Sequence, residues 1–300
     1  MAKKDEIPTL RDAEEAYEAG DIETTLAICD GLIGEDEGKA APEVLYLAGE
    51  CLLEMQEETE ALHLFELALD KEPDNPLLLH CKGLCLFELG KRSDARGLFE
   101  QARAAEPGLA EPVFYLGLLA ERAGDDAAAK ELFAAAVELD PENFVRPRIW
   151  SEDVIRGAFD EMVEEIPDPL AVWLAGLPLE VERSPTDDVL TRGGEPISPL
   201  VHCLFFGAGS EGAEGDDPEG WLSARPDRVV LYSDNLGKSA QDEYELRREV
   251  SEAVLWEIME FLGLNDDQLE ALGVVTTSRI WERWIAPNVV APLAWCAWLV

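Results

Sequence analysis

Small and aromatic residues recur along the first half of the chain with one fixed period. Five positions repeat every 34 residues through three consecutive units. They are a glycine (Gly49, Gly83, Gly117), an alanine (Ala61, Ala95, Ala129), a phenylalanine (Phe65, Phe99, Phe133), a second alanine (Ala68, Ala102, Ala136) and a proline (Pro73, Pro107, Pro141). The spacing predicts pairs of helices. Small residues let two helices cross closely, phenylalanine fills the space between them, and proline ends the second helix.

This pattern resembles the tetratricopeptide repeat (TPR), in which each 34-residue unit is a helix pair. The three well-formed units cover residues 42–75, 76–109 and 110–143, and a divergent unit over about 8–33 precedes them. We therefore expect an α solenoid of about four helix pairs, forming a TPR repeat domain over residues 1–146.

The first helix of each TPR unit lines an inner groove, which is where such arrays bind their partners. The repeat register predicts a partner-binding groove from twelve residues: Tyr46, Leu47, Glu50, Leu53, His80, Cys81, Leu84, Phe87, Phe114, Tyr115, Leu118 and Arg122. The groove positions are mainly aromatic, aliphatic or acidic, which argues against a clamp of lysine and asparagine for a peptide carboxylate. We expect a protein or peptide partner that is apolar or basic. The alternative is that the chain's own C-terminal half fills the groove.

In the second half of the chain, the apolar spacing changes from helical to strand-like and back. Residues 151–166 predict an amphipathic helix with Ser151 as its N-cap. A long helix is predicted from about Asp242 to Leu262. Between these helices lie three strand-like runs, separated by loops rich in glycine and aspartate: 179–182, 200–206 and 228–232. This order predicts a small α+β domain over residues 147–300.

The order of elements is similar to that of the minimal, matrix-metalloprotease-like zincin domain of bacteria, over about residues 150–272. The matching segments are Phe206-Gly207 for an aromatic-Gly step, Val230-Leu231-Tyr232 for a strand with a Leu-Tyr ending, and Glu257, Gly263 and Asp266 for the frame of the metal-binding helix. In that family, His-Glu-x-x-His places two imidazoles on one helical face. The Glu is the general base, and a later Asp completes the zinc site.

The chain departs from this family at the metal ligands. Trp256, Glu260 and Asp266 stand at the ligand positions, and Glu257 stands at the general-base position. Tryptophan does not bind a metal, and carboxylates without imidazole suit hard cations better than zinc. No histidine follows His202, so no shift of the helix register recovers a ligand pair. We expect a lost zinc site, no cofactor, an indole that fills the metal cavity, and a structural role for His202.

Composition limits the class of partner and the compartment. The net charge of −40 disfavours binding to nucleic acid and to anionic membranes. No apolar run is long enough to span a bilayer, and no signal peptide is recognisable at the start of the chain. None of the six cysteines forms a C-x-x-C pair, and packing explains Cys81 and Cys85 better than a metal site. These features predict a cytoplasmic protein with free thiols.

The last twenty residues, 281–300, differ from the rest of the chain. They contain four of its eight tryptophans (Trp281, Trp284, Trp295 and Trp298) and no acidic residue after Glu282. Burial in the core of the second domain is one explanation. The others are intramolecular docking into the TPR groove or the cleft, and binding to a partner or a membrane surface.

The sequence leaves three functions open. The leading hypothesis is a non-catalytic interaction scaffold or adaptor, with a TPR array and an inactive peptidase-like domain. The second is a metal-dependent peptidase with altered ligands, in which Glu257 is the base and Glu260 and Asp266 bind the metal. The third is a TPR regulator whose C-terminal domain only caps the array.

Overall fold

A computed structural model describes residues 8–191, 197–209 and 218–274 of the chain. The chain divides into two compact units, one that runs to Phe144 and one that begins at Val145. The tryptophan-rich segment 281–300 lies outside the described residues. No described helix is both long and apolar enough to cross a membrane.

The described part of the first unit contains eight α-helices that pack in consecutive pairs. They are α1 Leu10–Glu18, α2 Ile22–Ile33, α3 Pro42–Glu54, α4 Glu58–Leu69, α5 Pro76–Glu88, α6 Arg92–Ala105, α7 Ala110–Arg122 and α8 Asp126–Leu139. The predicted α solenoid is confirmed, and the divergent first unit forms a helix pair like the others.

The recurring glycines are required because a phenylalanine ring lies against each of them. A methyl group in place of the glycine hydrogen would come closer to the ring than carbon atoms tolerate. The pairs are Gly49 with Phe65 at 2.6 Å, Gly83 with Phe99 at 2.7 Å and Gly117 with Phe133 at 2.8 Å. This contact brings the two helices of each unit together, as the repeat pattern predicts.

The turn between the two helices of each unit requires a left-handed backbone. Gly90 and Gly124 occupy this position with φ of +73° and +77°. Gln56, 34 residues before Gly90, has φ of +61° and is the only described non-glycine residue with positive φ. The first well-formed repeat, residues 42–75, therefore carries conformational strain that the other two repeats avoid.

The second unit combines helices with a small sheet. Its described elements are α9 Glu152–Glu165, α10 Asp168–Leu174, β1 Leu179–Glu182, α11 Asp187–Leu190, β2 Cys203–Phe206, α12 Pro218–Trp221, β3 Arg228–Tyr232, α13 Ser233–Ser239, α14 Glu243–Leu262 and α15 Asp266–Ala271. The predicted α+β class is confirmed. Strand β2 is shorter than predicted, and α10 and α13 were not predicted.

The three described strands have the order β1-β3-β2, with β1 parallel and β2 antiparallel to β3. Cys203 and Phe205 of β2 belong to the main core of the unit, which α9 and α14 also form. Leu204 faces the other side of the sheet, where it joins Val230 and Tyr232 in a smaller cluster. Strand β2 is thus an edge strand that packs against α14.

Candidate functional site

Most of the predicted groove residues are buried in the first unit. They lie on α3, α5 and α7, and only Tyr46 and Arg122 are partly exposed. The buried ten are Leu47, Glu50, Leu53, His80, Cys81, Leu84, Phe87, Phe114, Tyr115 and Leu118. Tyr115 contacts the rings of Phe87 and Phe99 at centroid distances of 5.3 and 5.2 Å, which corrects its assignment to an open groove. It belongs to the aromatic core between α5, α6 and α7.

Glu50 is the most unusual of these residues, because it is a carboxylate that is only 6% exposed. Cys81 donates a hydrogen bond from Sγ to Glu50 Oε1 at 3.2 Å, and the Tyr46 hydroxyl also donates to this carboxylate. Burial raises the pKa of Glu50 to about 7, although the two hydrogen bonds oppose the shift. The carboxylates of Glu54 and Glu111 raise it further, which places all three acids near one another.

The two neighbouring acids are also partly removed from water. Burial raises the pKa of Glu54 and of Glu111. The Tyr17 hydroxyl donates to Glu54 Oε1 at 3.2 Å. Among the residues that the structure describes, no lysine or arginine forms an ion pair with Glu50, Glu54 or Glu111. The described side-chain partners of Glu50 and Glu54 are neutral hydroxyl and thiol groups.

His80 precedes Cys81 on α5 and is 4% exposed. Its ring packs against Phe99 and Tyr115, each at a centroid distance of 5.6 Å. Burial lowers the pKa of His80 to about 3, so the imidazole is neutral at pH 7. Its Nδ1 atom is buried and has no hydrogen-bond partner among the described residues.

The cysteines of the described chain are free and buried: Cys29, Cys51, Cys81, Cys85 and Cys203. Cys296 lies outside the described residues. Burial raises the pKa of Cys81 and Cys85 well above the ordinary thiol value, so both are protonated. A protonated thiol is a poor metal ligand and a weak hydrogen-bond donor, which agrees with the contact from Cys81 to Glu50.

In the second unit, α14 has the frame that the resemblance to zincins implies. The helix ends at Gly263, which has φ of +63°, a conformation that favours glycine. The Leu264 N–H donates to the Met259 carbonyl at 2.9 Å and closes the last turn. Asn265 and Gln268 then cap α15 reciprocally. The side chain of Asp266 lies outside the described residues.

Glu257 binds the backbone of the neighbouring edge strand. The Phe205 N–H donates to Glu257 Oε1 at 2.7 Å. The backbone polar groups of Leu204 and Phe206 face β3 in the antiparallel ladder. Those of Phe205, between them, face the other way, so its N–H points to the open edge of the sheet. A carboxylate that accepts this bond satisfies an edge donor and links α14 to β2.

The donor set at the family's metal positions does not fit zinc. Trp256 offers no ligand atom and is partly exposed. That its indole fills the metal cavity stays a prediction. Glu260 is exposed to solvent. Among the described residues, no three His, Cys, Asp or Glu side chains are grouped as they would be around a metal ion.

His202 precedes β2 and lies in a polar cluster. Its Nε2 is 3.3 Å from Ser239 Oγ, and its Nδ1 is 3.9 Å from Glu249 Oε2. Burial, with a smaller contribution from Lys238, lowers the pKa of His202 to about 4. The order serine, histidine, carboxylate resembles that of a hydrolase triad, but 3.9 Å exceeds hydrogen-bond distance. Ser239 also donates to the Asn235 carbonyl of its own helix at 3.4 Å. The structural role expected for His202 stays a prediction.

Comparison with protein families identifies both halves of the chain. Residues 43–75 and 82–144 match models of the tetratricopeptide repeat, and residues 174–274 match a model described as zincin-like metallopeptidase. The chain combines a TPR array with a zincin-like domain. No curated protein matches it.

Several solved structures resemble the TPR array. MamA residues 41 to the end from Desulfovibrio magneticus RS-1 is 26% identical, with a TM-score of 0.39, over 47% of this chain and 79% of that one. A thermophilic TPR protein from Thermus thermophilus is 21% identical, with a TM-score of 0.39, over 45% and 73%. YrrB, described as a TPR protein with an unusual peptide-binding site, is 16% identical, with a TM-score of 0.32, over 44% and 85%.

Two features of these sites were not predicted. One is the role of Glu257 as a hydrogen-bond acceptor for β2, for which the sequence holds no signal. The other is the acidic group around Glu50. A signal for it exists, because the residues at the same repeat position in the next two units are Leu84 and Leu118.

Proposed function

We propose that this chain is a non-catalytic interaction scaffold, which binds a protein or peptide partner through its TPR array. The zincin-like domain would be retained for its fold and for binding, with no hydrolytic step. A cytoplasmic location and a partner that is basic or apolar are parts of the same proposal. The observation that carries it is the hydrogen bond from the Phe205 backbone to the Glu257 carboxylate.

A general base in a metallopeptidase must face a metal-bound water. Glu257 accepts a hydrogen bond from the Phe205 backbone, so one of its carboxylate oxygens is committed to β2. The position where the family has its first imidazole is Trp256. Both features support a helix that stabilises the domain and performs no hydrolysis.

The test compares two variants of Glu257 in the full chain. In Glu257→Gln, the side-chain carbonyl still accepts the Phe205 N–H, but the residue can no longer act as a base. In Glu257→Ala, the backbone donor at β2 is left unpaired. We expect Glu257→Ala to lower the free energy of unfolding by about 2 kcal/mol and Glu257→Gln to lower it by less than about 1 kcal/mol. Urea unfolding followed by circular dichroism measures both.

The same proteins are incubated with an unfolded polypeptide, such as reduced and alkylated casein, with zinc, manganese or calcium. Mass spectrometry of the products measures cleavage. A scaffold leaves the substrate intact in all samples. Metal-dependent cleavage by the wild type that disappears in Glu257→Gln would establish the altered-ligand peptidase, with Glu257 as base and Glu260 and Asp266 as ligands.

The array and the second domain have separate expected roles. If the second domain only caps the array, peptide binding depends on residues of the first unit alone. Docking of residues 281–300 into the array is the intramolecular form of the same interaction.

A further inference from the structure

The two ends of the TPR array differ in how far they are exposed to solvent. The end helix of a repeat array has a neighbouring repeat on one side only, so its other side normally faces water. Helix α1, the first helix of the first repeat, behaves in this way, because Ala13 is its one buried residue. Helix α7, the first helix of the last repeat, does not. All eleven of its residues from Ala110 to Ala120 are buried.

The described neighbours of α7 account for only part of this burial. Eleven successive residues span three turns, so α7 is covered in every direction. Helices α6 and α8 pack against it, and Tyr115 contacts the rings of His80 and Phe87 on α5. Beyond the last repeat, Phe144 contacts Phe114 at a centroid distance of 5.1 Å. One ring is too small to cover the outer side of three turns, which indicates a further covering segment.

The covered surface includes the inner groove. The repeat register places Leu118 on the groove side of α7, at the position that Glu50 and Leu84 occupy in the preceding repeats. These residues are 2%, 6% and 3% exposed, in that order. Glu111, in the first turn of α7, is a carboxylate that is only 9% exposed. A groove open to solvent would leave this row in contact with water, so its burial indicates an occupied groove.

Residues 285–300 have the composition that such a cover requires. None of the sixteen is charged, thirteen are apolar, and the other three are two prolines and one asparagine. Two of the apolar residues are tryptophans, Trp295 and Trp298. In a chain with 29% charged residues, we expect this run to be removed from water, because exposed apolar surface is unfavourable there.

The length of chain before this segment and the surface of the second unit favour the TPR array as its place. The described residues end at Val274, and residues 275–284 can extend to about 33 Å, so the segment is not confined to the core that contains Val274. The second unit keeps large apolar side chains in contact with water, since Ile149 is 95% exposed, Val172 72% and Tyr244 70%. An apolar segment packed on this unit would be expected to cover such residues.

We propose that residues 285–300 of the same chain lie in the inner groove of the TPR array and cover α7. The proposal rests on the proposed function, because it uses the groove as a surface that binds polypeptides. The segment is then an internal ligand, and a partner binds only by displacing it. The partner that this surface fits is an uncharged, apolar stretch of polypeptide with aromatic residues, similar in chemistry to residues 285–300.

Photo-crosslinking in the full-length chain locates the segment. The photoreactive amino acid p-benzoylphenylalanine replaces Trp298, which keeps a large aromatic side chain there, and mass spectrometry identifies the peptide to which it links. We expect links to residues 110–122, which form α7. The matched control places the same amino acid at Met55, which is 47% exposed and lies two repeats before α7, and should give no link to α7. Mixing unlabelled and isotope-labelled chains distinguishes links within one chain from links between two.

A second measurement tests displacement with a synthetic peptide that copies residues 285–300 and carries a solubilising tag and a fluorophore. We expect the full-length double variant Trp295→Ser, Trp298→Ser to bind this peptide at least about tenfold more tightly than the wild type, because weakening the internal ligand frees the groove. The matched control is Trp281→Ser, Trp284→Ser, which removes two tryptophans outside the segment and should bind the peptide as the wild type does. Fluorescence anisotropy measures all three affinities.

The possible failures are distinguishable. Links from residue 298 to the second unit, or to α7 of another chain, would overturn the assignment to this chain's own groove. Equally tight binding of the peptide by the wild type and the double variant would also overturn it, while polypeptide binding by the array stands. Links to α7 with binding of the peptide by neither protein would make the segment a fixed part of the fold. That result would refute both the displaceable ligand and the proposed function.

Discussion

The TPR array, which is the first unit, and the zincin-like domain, which is the second, retain different parts of their motifs. The TPR unit keeps the residues that its packing requires, with a glycine against a phenylalanine ring in each of the three repeats. The zincin-like unit keeps Gly263, which ends α14, and Glu257, but it has tryptophan in place of the first imidazole. Positions needed for folding are thus present in both units, whereas the two imidazole ligands of the metal site are absent from the second.

Glu50 is the exception in the first unit, because its packing does not require a carboxylate there. Glu50→Leu is expected to have the largest effect on stability. The pKa of Glu50 is about 7 in the folded chain and 4.5 without the fold. Below pH 4.5 it is protonated in both states. As pH rises from 4.5 to 7, only the unfolded chain loses this proton, so stability falls by about 3 kcal/mol and then stays level.

Glu50→Leu should remove that part of the pH dependence. Urea unfolding of the full chain at about pH 4.5 and about pH 8 gives the change in the free energy of unfolding between the two pH values. The difference in this change between variant and wild type is the contribution of Glu50. His80 acts in the opposite direction, because its pKa of about 3 costs stability as pH falls below 6.5, and it is common to both proteins. Identical pH profiles would show that Glu50 is not buried as described.

The repeat glycines give the next largest effect. Gly83→Ala places a methyl group 2.7 Å from the Phe99 ring and should lower the free energy of unfolding by about 2 kcal/mol. Gly97 lies in α6 with open space around it, so Gly97→Ala should raise the free energy of unfolding by about 1 kcal/mol. Denaturant unfolding measures both. Similar values for the two variants would mean that the glycine–phenylalanine contact does not limit helix approach.

The smallest effect concerns Gln56, the non-glycine residue in the left-handed turn. Gln56→Gly should stabilise the first unit by about 1 kcal/mol, since it copies Gly90 and Gly124. Hydrogen exchange of the amides in α3 and α4 reports the change locally. No change, or a loss of protection, would indicate that the Gln56 side chain contributes contacts that outweigh the backbone strain.

These features differ in how far the sequence reveals them. The 34-residue period predicts the helix pairs and the Gly–Phe contacts, because both depend on residue size at regular positions. Helices α10 and α13 were missed, since each is only seven residues long and has too few turns for a periodic signal. The bond from Phe205 to Glu257 joins residues 52 apart, so only the fold brings them together. The buried state of Glu50 likewise depends on how α3, α5 and α7 pack.

The central claim is that α14 serves the fold and does not hold a catalytic metal. Elemental analysis of the full chain, purified without metal-affinity resin, equilibrated with zinc and then dialysed, tests it directly. The account predicts no stoichiometric zinc. One tightly bound zinc per chain that disappears in Glu260→Gln or Asp266→Asn would contradict it.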